Sequence, residues 1–253
     1  MAMYPGYAIK YDCLATLLAP GSWLLAPGSS SWLPPQFCRD GGRQFVVENG
    51  FWALENPIIG ELVDEIVKGG FRFKTEEGLD LCRFALEEPL IRGVIESFFP
   101  RSELAFFKAY GQTRFNHSII NKTPELRILV VQLWSSASEA IVYSGSHLQS
   151  LGATNAPNGL LMIPDDHLKR PNITPTAEVM PQGGLAILDG RSAFKILRGK
   201  IIMLGFMIPD ESKYWAKMRL PTEALMDKAR SMQTDTIGLN FKLQDSEPDI
   251  DER

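Results

Sequence analysis

Histidine is scarce in this chain. His117, His147 and His167 are the only three in 253 residues. Cysteine is equally scarce: Cys13, Cys38 and Cys82 form an odd, widely spaced set. That excludes a disulfide framework and a zinc pattern; the simpler reading is a reducing, cytoplasmic compartment. No apolar run reaches the roughly 20 residues needed to cross a bilayer. Lys10 and Asp12 interrupt the first apolar stretch and Pro20-Gly21 break it, so it does not read as a secretory leader. Without one, the sequons at Asn116, Asn121 and Asn172 read as chance matches. Basic residues gather only within Arg191–Lys200, and the net charge is −4, so no nucleic-acid partner is expected. A nucleophile elbow, a Walker loop and a dinucleotide fingerprint are absent as well.

What remains is an ordinary globular composition, 45% hydrophobic and 22% charged. The chain reads as a single domain over 1–253. A loop-rich segment covers 1–50, helices fill 51–102, a β core spans 103–210, a helix covers 221–232, and an acidic, disordered tail covers 243–253. Residues 17–29 duplicate LLAPGS, and Pro and Gly keep either copy from forming a long helix. This stretch either packs on the body or, through Trp23, Leu24, Leu25, Trp32 and Leu33, forms a lid or a homodimer or heterodimer contact. In ENPIIGELVDEIVKG (55–69), Ile58, Leu62 and Ile66, with Ile59 and Val63, form one helical stripe that stops at Gly69-Gly70. Thr75-Glu76-Glu77 opens the next helical region, which restarts at Pro89 and ends at Pro100.

After residue 103 the pattern changes. ELAFFKAY, ELRILVVQLW, EAIVYSG, GLLMIP, GLAILDG and KIIMLGFMI are short, apolar and separated by Gly, Pro, Asn and Ser. Helices followed by about eight short strands predict a mainly β fold with flanking helices, a double-stranded β-helix of jelly-roll or cupin type.

Three segments carry a family resemblance over roughly 103–208. LRILVVQLWSSASEAIVYSGSH (126–147) ends in the turn Ser144-Gly145-Ser146-His147. MPQGGLAILDGR (180–191) gives a Gly-rich turn and strand, and residues 199–208 give a last core strand. Together they resemble the phytanoyl-CoA dioxygenase-like group of Fe(II)/2-oxoglutarate oxygenases, as a divergent member of fungal type. The resemblance implies iron held by a His-x-Asp pair and a distal His, with a basic residue for the 2-oxoglutarate carboxylate. Two His and a carboxylate leave three positions open on the metal. Here the pair falls on His117-Ser118-Ile119 and the distal His on Phe194; neither Ile119 nor Phe194 can ligate. Arg198 or Lys200 stands where the carboxylate-binding base belongs.

The expectation is therefore an inherited barrel without its iron site and with no cofactor, holding a hydrophobic small molecule. It either catalyses a non-oxidative step in secondary metabolism (cyclisation, isomerisation or dehydration) or partners an active oxygenase. The alternative is an active Fe(II)/2-oxoglutarate dioxygenase with unusual ligands. His117 suits general acid–base work if it points inward, and is otherwise a surface or satisfied histidine. Asp189 and Arg191 either polarise a ligand at the barrel mouth or form a structural ion pair. The strand Leu126–Trp134 alternates, so Gln132 and Trp134 share a face that lines either the barrel or its outside. Tyr143 and His147 reach the same mouth in this reading. With Phe194 and Arg198 they complete the substrate-binding set.

Overall fold

The computed structural model describes residues 35–121 and 123–244. Its first half runs α1 (Pro35–Asn49), β1 (Phe51–Glu55), α2 (Pro57–Lys68), α3 (Glu76–Glu87), α4 (Pro89–Phe98), β2 (Ser102–Tyr110), β3 (Asn116–Ser118), β4 (Ile128–Trp134) and β5 (Ser138–Ser144). There follow β6 (Thr154–Asn155), β7 (Leu161–Ile163), β8 (Thr174–Met180), β9 (Gly184–Asp189), β10 (Ala193–Arg198) and β11 (Ile201–Met207). The described residues finish with α5 (Pro209–Ser212), β12 (Met218–Leu220), α6 (Glu223–Ser231), β13 (Ile237–Leu239) and β14 (Phe241–Leu243).

Two six-stranded sheets form a double-stranded β-helix. One has the order β1-β9-β4-β11-β2-β13 and the other β6-β7-β3-β10-β5-β8. Pairing is antiparallel except for β13 on β2 and a small β12-β14 ribbon, which are parallel. Every residue of β4 and β11 is buried, because the first sheet is covered on both sides. Leu129, Val131, Leu133, Ile202 and Leu204 face the helices, packing with Ile59, Val63, Ile91 and Val94. Ile128, Val130, Trp134, Ile201 and Met203 face the barrel and meet Val142, Phe194 and Ile196 from the other sheet. That double burial explains why ILVVQLW and IIMLGFM read as near-continuous apolar runs.

The helices start as their sequences dictate. The Asn56 carboxamide oxygen accepts from the Ile58 and Ile59 amides at 3.0 and 3.3 Å, and Pro57 opens α2. Glu88 caps α4 in the same way ahead of Pro89. The buried stripe of α2 differs from the sequence reading: Ile59, Gly60 and Val63 are buried, while Ile58 is 40% exposed. Gly60 sets this rotation. A Cβ there would lie 1.9 Å from the Gln182 carbonyl and 3.0 Å from the Gly183 Cα, so the helix rests directly on the β8–β9 turn. Gly183 itself needs its φ of +81°.

Residues 35–49 form a helix where composition alone reads as loop-rich. Strands β1, β3, β8 and β10 also fill stretches without a strong period. The duplicated segment 17–29, the Trp/Leu contact and the tail from 245 lie outside the described residues. On β11, Gly205 lies opposite Phe106, whose ring occupies the space a side chain at 205 would take. The same ring stacks on Trp215 at 5.6 Å and 19°.

Gly60→Ala is expected to destabilise the fold by about 2–3 kcal/mol through this overlap. Gly41 lies in α1, and apart from its chain neighbours and the helix's own backbone no heavy atom comes within 4 Å of the point a Cβ would occupy. Gly41→Ala is therefore expected to be neutral or stabilising by up to about 1 kcal/mol. Urea unfolding midpoints of the two variants check both.

Candidate functional site at the barrel mouth

Strand register decides which side chains face inward. His117 pairs with Phe194, and Phe194 pairs with Val142 across β10. Phe194 and Val142 belong to the barrel core, so His117 faces the barrel too. Its ring lies 6.5 Å from that of Phe194, and the residue is 4% exposed. On the opposite wall, Met203 of β11 pairs with both Gln132 and Lys108, which puts all three on the inner face. Phe106 and Tyr110 share it.

The loop after β6 closes this region. Lys108 Nζ donates to the Asn158 carbonyl at 2.8 Å and lies 5.6 Å from the centre of the Tyr110 ring. The Asn158 carboxamide nitrogen stands 3.5 Å from His117 Nε2, which accepts in that arrangement and leaves the proton on Nδ1. Nδ1 is buried without a hydrogen-bond partner. Desolvation pushes the His117 pKa down; the nearby Phe115 carbonyl pulls it up by less and makes no hydrogen bond of normal geometry. Burial thus favours the neutral ring. Burial also drives the Tyr110 phenol up to about 12, which keeps it a hydrogen-bond donor.

Gln132 lies inside, with its amide satisfied. The Trp134 indole donates to its oxygen at 3.2 Å, and its nitrogen meets the Met203 sulfur at 3.9 Å. Trp134 and Phe194 are buried in the same core. Tyr143 lies elsewhere: it pairs with Ala193, on the outer face of the second sheet, against Leu151 and Ile163. Arg198 is on the rim, its side chain 62% exposed and 3.8 Å from Glu139.

Asp189 and Arg191 hold each other. The guanidinium donates to both carboxylate oxygens, at 3.0 and 2.7 Å, and the Arg191 amide donates to Oδ1 at 2.9 Å. The free end of the guanidinium caps the Pro124 carbonyl. Asp189 pairs with Leu129, whose side chain faces the helices, so this ion pair sits on the far face of the sheet from His117. His147 belongs to the same corner. Its Nε2 donates to the Val47 carbonyl at 3.1 Å, and its Nδ1 is buried without a partner. A Cβ at Gly50 would strike both His147 Nδ1 and Ser192 Oγ at 2.5 Å. Burial lowers the His147 pKa. His167 donates from Nδ1 to the Leu151 carbonyl at 2.6 Å.

Sequence reading missed Lys108, Tyr110, Asn158 and Glu178. For the first two the signal was available: in ELAFFKAY, Phe106, Lys108 and Tyr110 share one phase of the strand. Glu178 pairs with Ala140 on the barrel-facing side of β8, and desolvation raises its pKa. Strands β5 and β10 separate it from His117.

The residues do not fit an iron centre of the two-His, one-carboxylate type. At the two positions beside His117 stand Ile119 and Phe194, 7% and 2% exposed and packed in the apolar core. Among the described residues no three His, Cys, Asp or Glu side chains gather to hold a metal ion.

Two measurements follow from these settings. Because burial lowers the pKa of His117 and His147 below the ordinary 6.5, the unfolded chain takes up protons first as the pH falls. Their contribution is complete above about pH 6.5 and is lost as the pH falls from there through their folded-state values. His117→Gln or His147→Gln should flatten that part of the stability–pH curve in chemical unfolding. Separately, Arg191→Met should cost about 3–5 kcal/mol by leaving Asp189 buried without its partner. Adding Asp189→Ala should cost less than the sum of the single changes, measured in a double-mutant cycle.

No family model and no curated protein matches the sequence. Solved structures do. The epimerase SnoN, crystallised with Fe3+, alpha ketoglutarate and nogalamycin RO, aligns at a TM-score of 0.50 and 11% identity, over 68% of this chain and 84% of its own. EctD from S. alaskensis, with 2-oxoglutarate and 5-hydroxyectoine, aligns at 0.49 and 10%, over 66% and 75%. HygX from Streptomyces hygroscopicus, with iron bound, aligns at 0.47 and 11%, over 73% and 92%. The expectation of no cofactor is corrected here: SnoN holds iron and alpha ketoglutarate on this same fold, so the architecture gives no ground for excluding them. What this chain shares with SnoN is the double-stranded β-helix fold.

Proposed function

We propose that the barrel mouth around His117 binds a small, largely apolar metabolite and moves a proton on it, in an isomerisation, epimerisation or cyclisation of secondary metabolism. The observation that carries this is His117 itself. It is the one histidine among the three that faces the barrel, burial favours its neutral ring, and Nδ1 lies buried without a partner. A buried polar atom left unpaired is costly, and a ligand atom at that point would relieve it. In this reading the Nδ1–H donates a hydrogen bond to a ligand oxygen, and Nε2, once substrate displaces the Asn158 carboxamide, is the nitrogen that takes the proton.

The surrounding groups have matching roles in this reading. Phe194, Ile119, Met162 and Leu160 give the substrate an apolar seat. Lys108, tied to the Asn158 carbonyl, brings a positive charge to the same opening and would stabilise an enolate or phenolate as it forms. Tyr110, a donor at all ordinary pH values, would hold a carbonyl oxygen. The fold also hosts chemistry of this class, since SnoN is an epimerase. This resembles a divergent phytanoyl-CoA dioxygenase-like barrel whose ligand positions have turned apolar. Asp189, Arg191 and His147 act structurally in this reading. They fix the β9–β10 turn and anchor α1, and do not contact substrate.

The test is an incubation of purified protein with a panel of polycyclic and aromatic metabolites in D2O, followed by mass spectrometry. The expected result is a product of unchanged composition that carries solvent deuterium. His117→Gln should lower its rate by about 100-fold or more, and Lys108→Met by about tenfold. An oxygenated product formed as 2-oxoglutarate is consumed would overturn the reading.

A further inference from the structure

Strand β2 presents different side chains on its two faces. Lys108 and Tyr110 look into the barrel, while Phe107 looks outward into a separate cavity of about 700 Å³. The cavity has an apolar floor and a basic rim. The buried Leu79 and Leu220 and the half-buried Phe71, Phe73, Phe107, Met218 and Phe241 form this apolar part. Arg72, Lys74, Lys217 and Arg219 stand around the edge, all exposed, and no acidic residue joins the lining. This is a local concentration of positive charge on a chain whose net charge is −4. Arg72, Lys74 and Lys217 form no ion pair with a described residue; Arg72 lies within electrostatic reach of Glu77, which is outside the lining.

The floor is held in place at a conformational cost. Phe71 has φ of +56°, a region a bulky side chain rarely enters. The turn after α2 forces it: Gly70 takes φ of +78°, and the Phe71 amide reaches back to the Ile66 carbonyl at 3.1 Å. Glycine would sit there without strain. Instead a ring is kept, packed 5.9 Å from Phe73, which packs 4.6 Å from Phe107. The same ring packs against the helix-side core, so the core and the cavity wall share it.

We infer that this cavity is a second binding site, for a soluble amphipathic anion: an apolar body of one or two rings, or a medium alkyl chain, that carries one carboxylate or sulfonate. The volume falls in the range of sites for such molecules. The three packed rings supply apolar contact, and the rim supplies the charge complement. A neutral apolar ligand would gain only the floor, and inorganic phosphate only the rim. The occupant that uses both parts has both features in one molecule.

The experiment titrates the whole protein with anilinonaphthalene sulfonate by fluorescence, and with dodecanoate by calorimetry. One equivalent of each should bind. Dodecanol, with the same chain and no charge, and phosphate alone should each bind at least about tenfold more weakly. Lys74→Glu with Lys217→Glu should weaken dodecanoate about tenfold, and Lys74→Gln with Lys217→Gln should weaken it by less. Both positions carry exposed side chains, so an unchanged melting temperature accompanies the loss. Raising the salt concentration should act in the same direction. His117→Gln should leave the affinity unchanged, which separates this site from the barrel mouth. The inference is overturned if dodecanol binds as tightly as dodecanoate, or if the charge reversals have no effect. It is likewise overturned if His117→Gln abolishes binding, or if only anionic phospholipid vesicles are bound and free dodecanoate is not.

Discussion

Strands β4 and β11 have no wet face, and the rest of the architecture follows from that constraint. A strand buried on both sides must find every backbone partner within the sheet, because no water reaches it. β9 and β2 supply those partners on the flanks. Helices must then cover one face, and a second sheet must cover the other. Capping of α2 by Asn56 and of α4 by Glu88, the close seat of Gly60 on the β8–β9 turn, and the filled interior between the sheets each meet part of that requirement.

The functional reading depends on how that interior is filled. Side chains pack it, so the polar groups that remain stand out. Gln132 and Trp134 satisfy each other and add to the core. His117 is different. It lies on β3, between β7 and β10, beside a loop that places Asn158 near one ring nitrogen while the other is left unpaired. Asp189 and Arg191 are chemically stronger groups, yet their bidentate pairing and their face of the sheet commit them to holding a turn. Charge and burial alone would rank the ion pair first as a site; register reverses the order.

Much of this was legible in the sequence. The phase of ILVVQLW put Gln132 and Trp134 on one face, and the breaks at Pro89 and Gly69 marked helix ends. The barrel itself was readable from the helices followed by short strands. Other parts were not. Ile58 and Ile59 are equivalent in a helical pattern, and only the contact of Gly60 with Gln182 decides which of them is buried. β3 is three residues long, and Asn-His-Ser carries no strand signal; pairing with Phe194 and Met162 makes it a strand. Tyr143 follows β5 in perfect alternation, but alternation does not say which face is inside. Nothing local in TPTAEVM signals that Glu178 looks toward the core.

Gly205, Phe106 and Trp215 form one steric unit across β11, β2 and the bend after α5. The missing side chain at 205 is the room in which the Phe106 ring lies, and that ring is the platform for Trp215. None of the three positions is free to drift alone. A lineage that acquired a methyl group at 205 would have to shrink residue 106, and the indole at 215 would lose its support. In related chains these positions should therefore change together or not at all. That pattern would trace the ancestry of this barrel further than overall identity does.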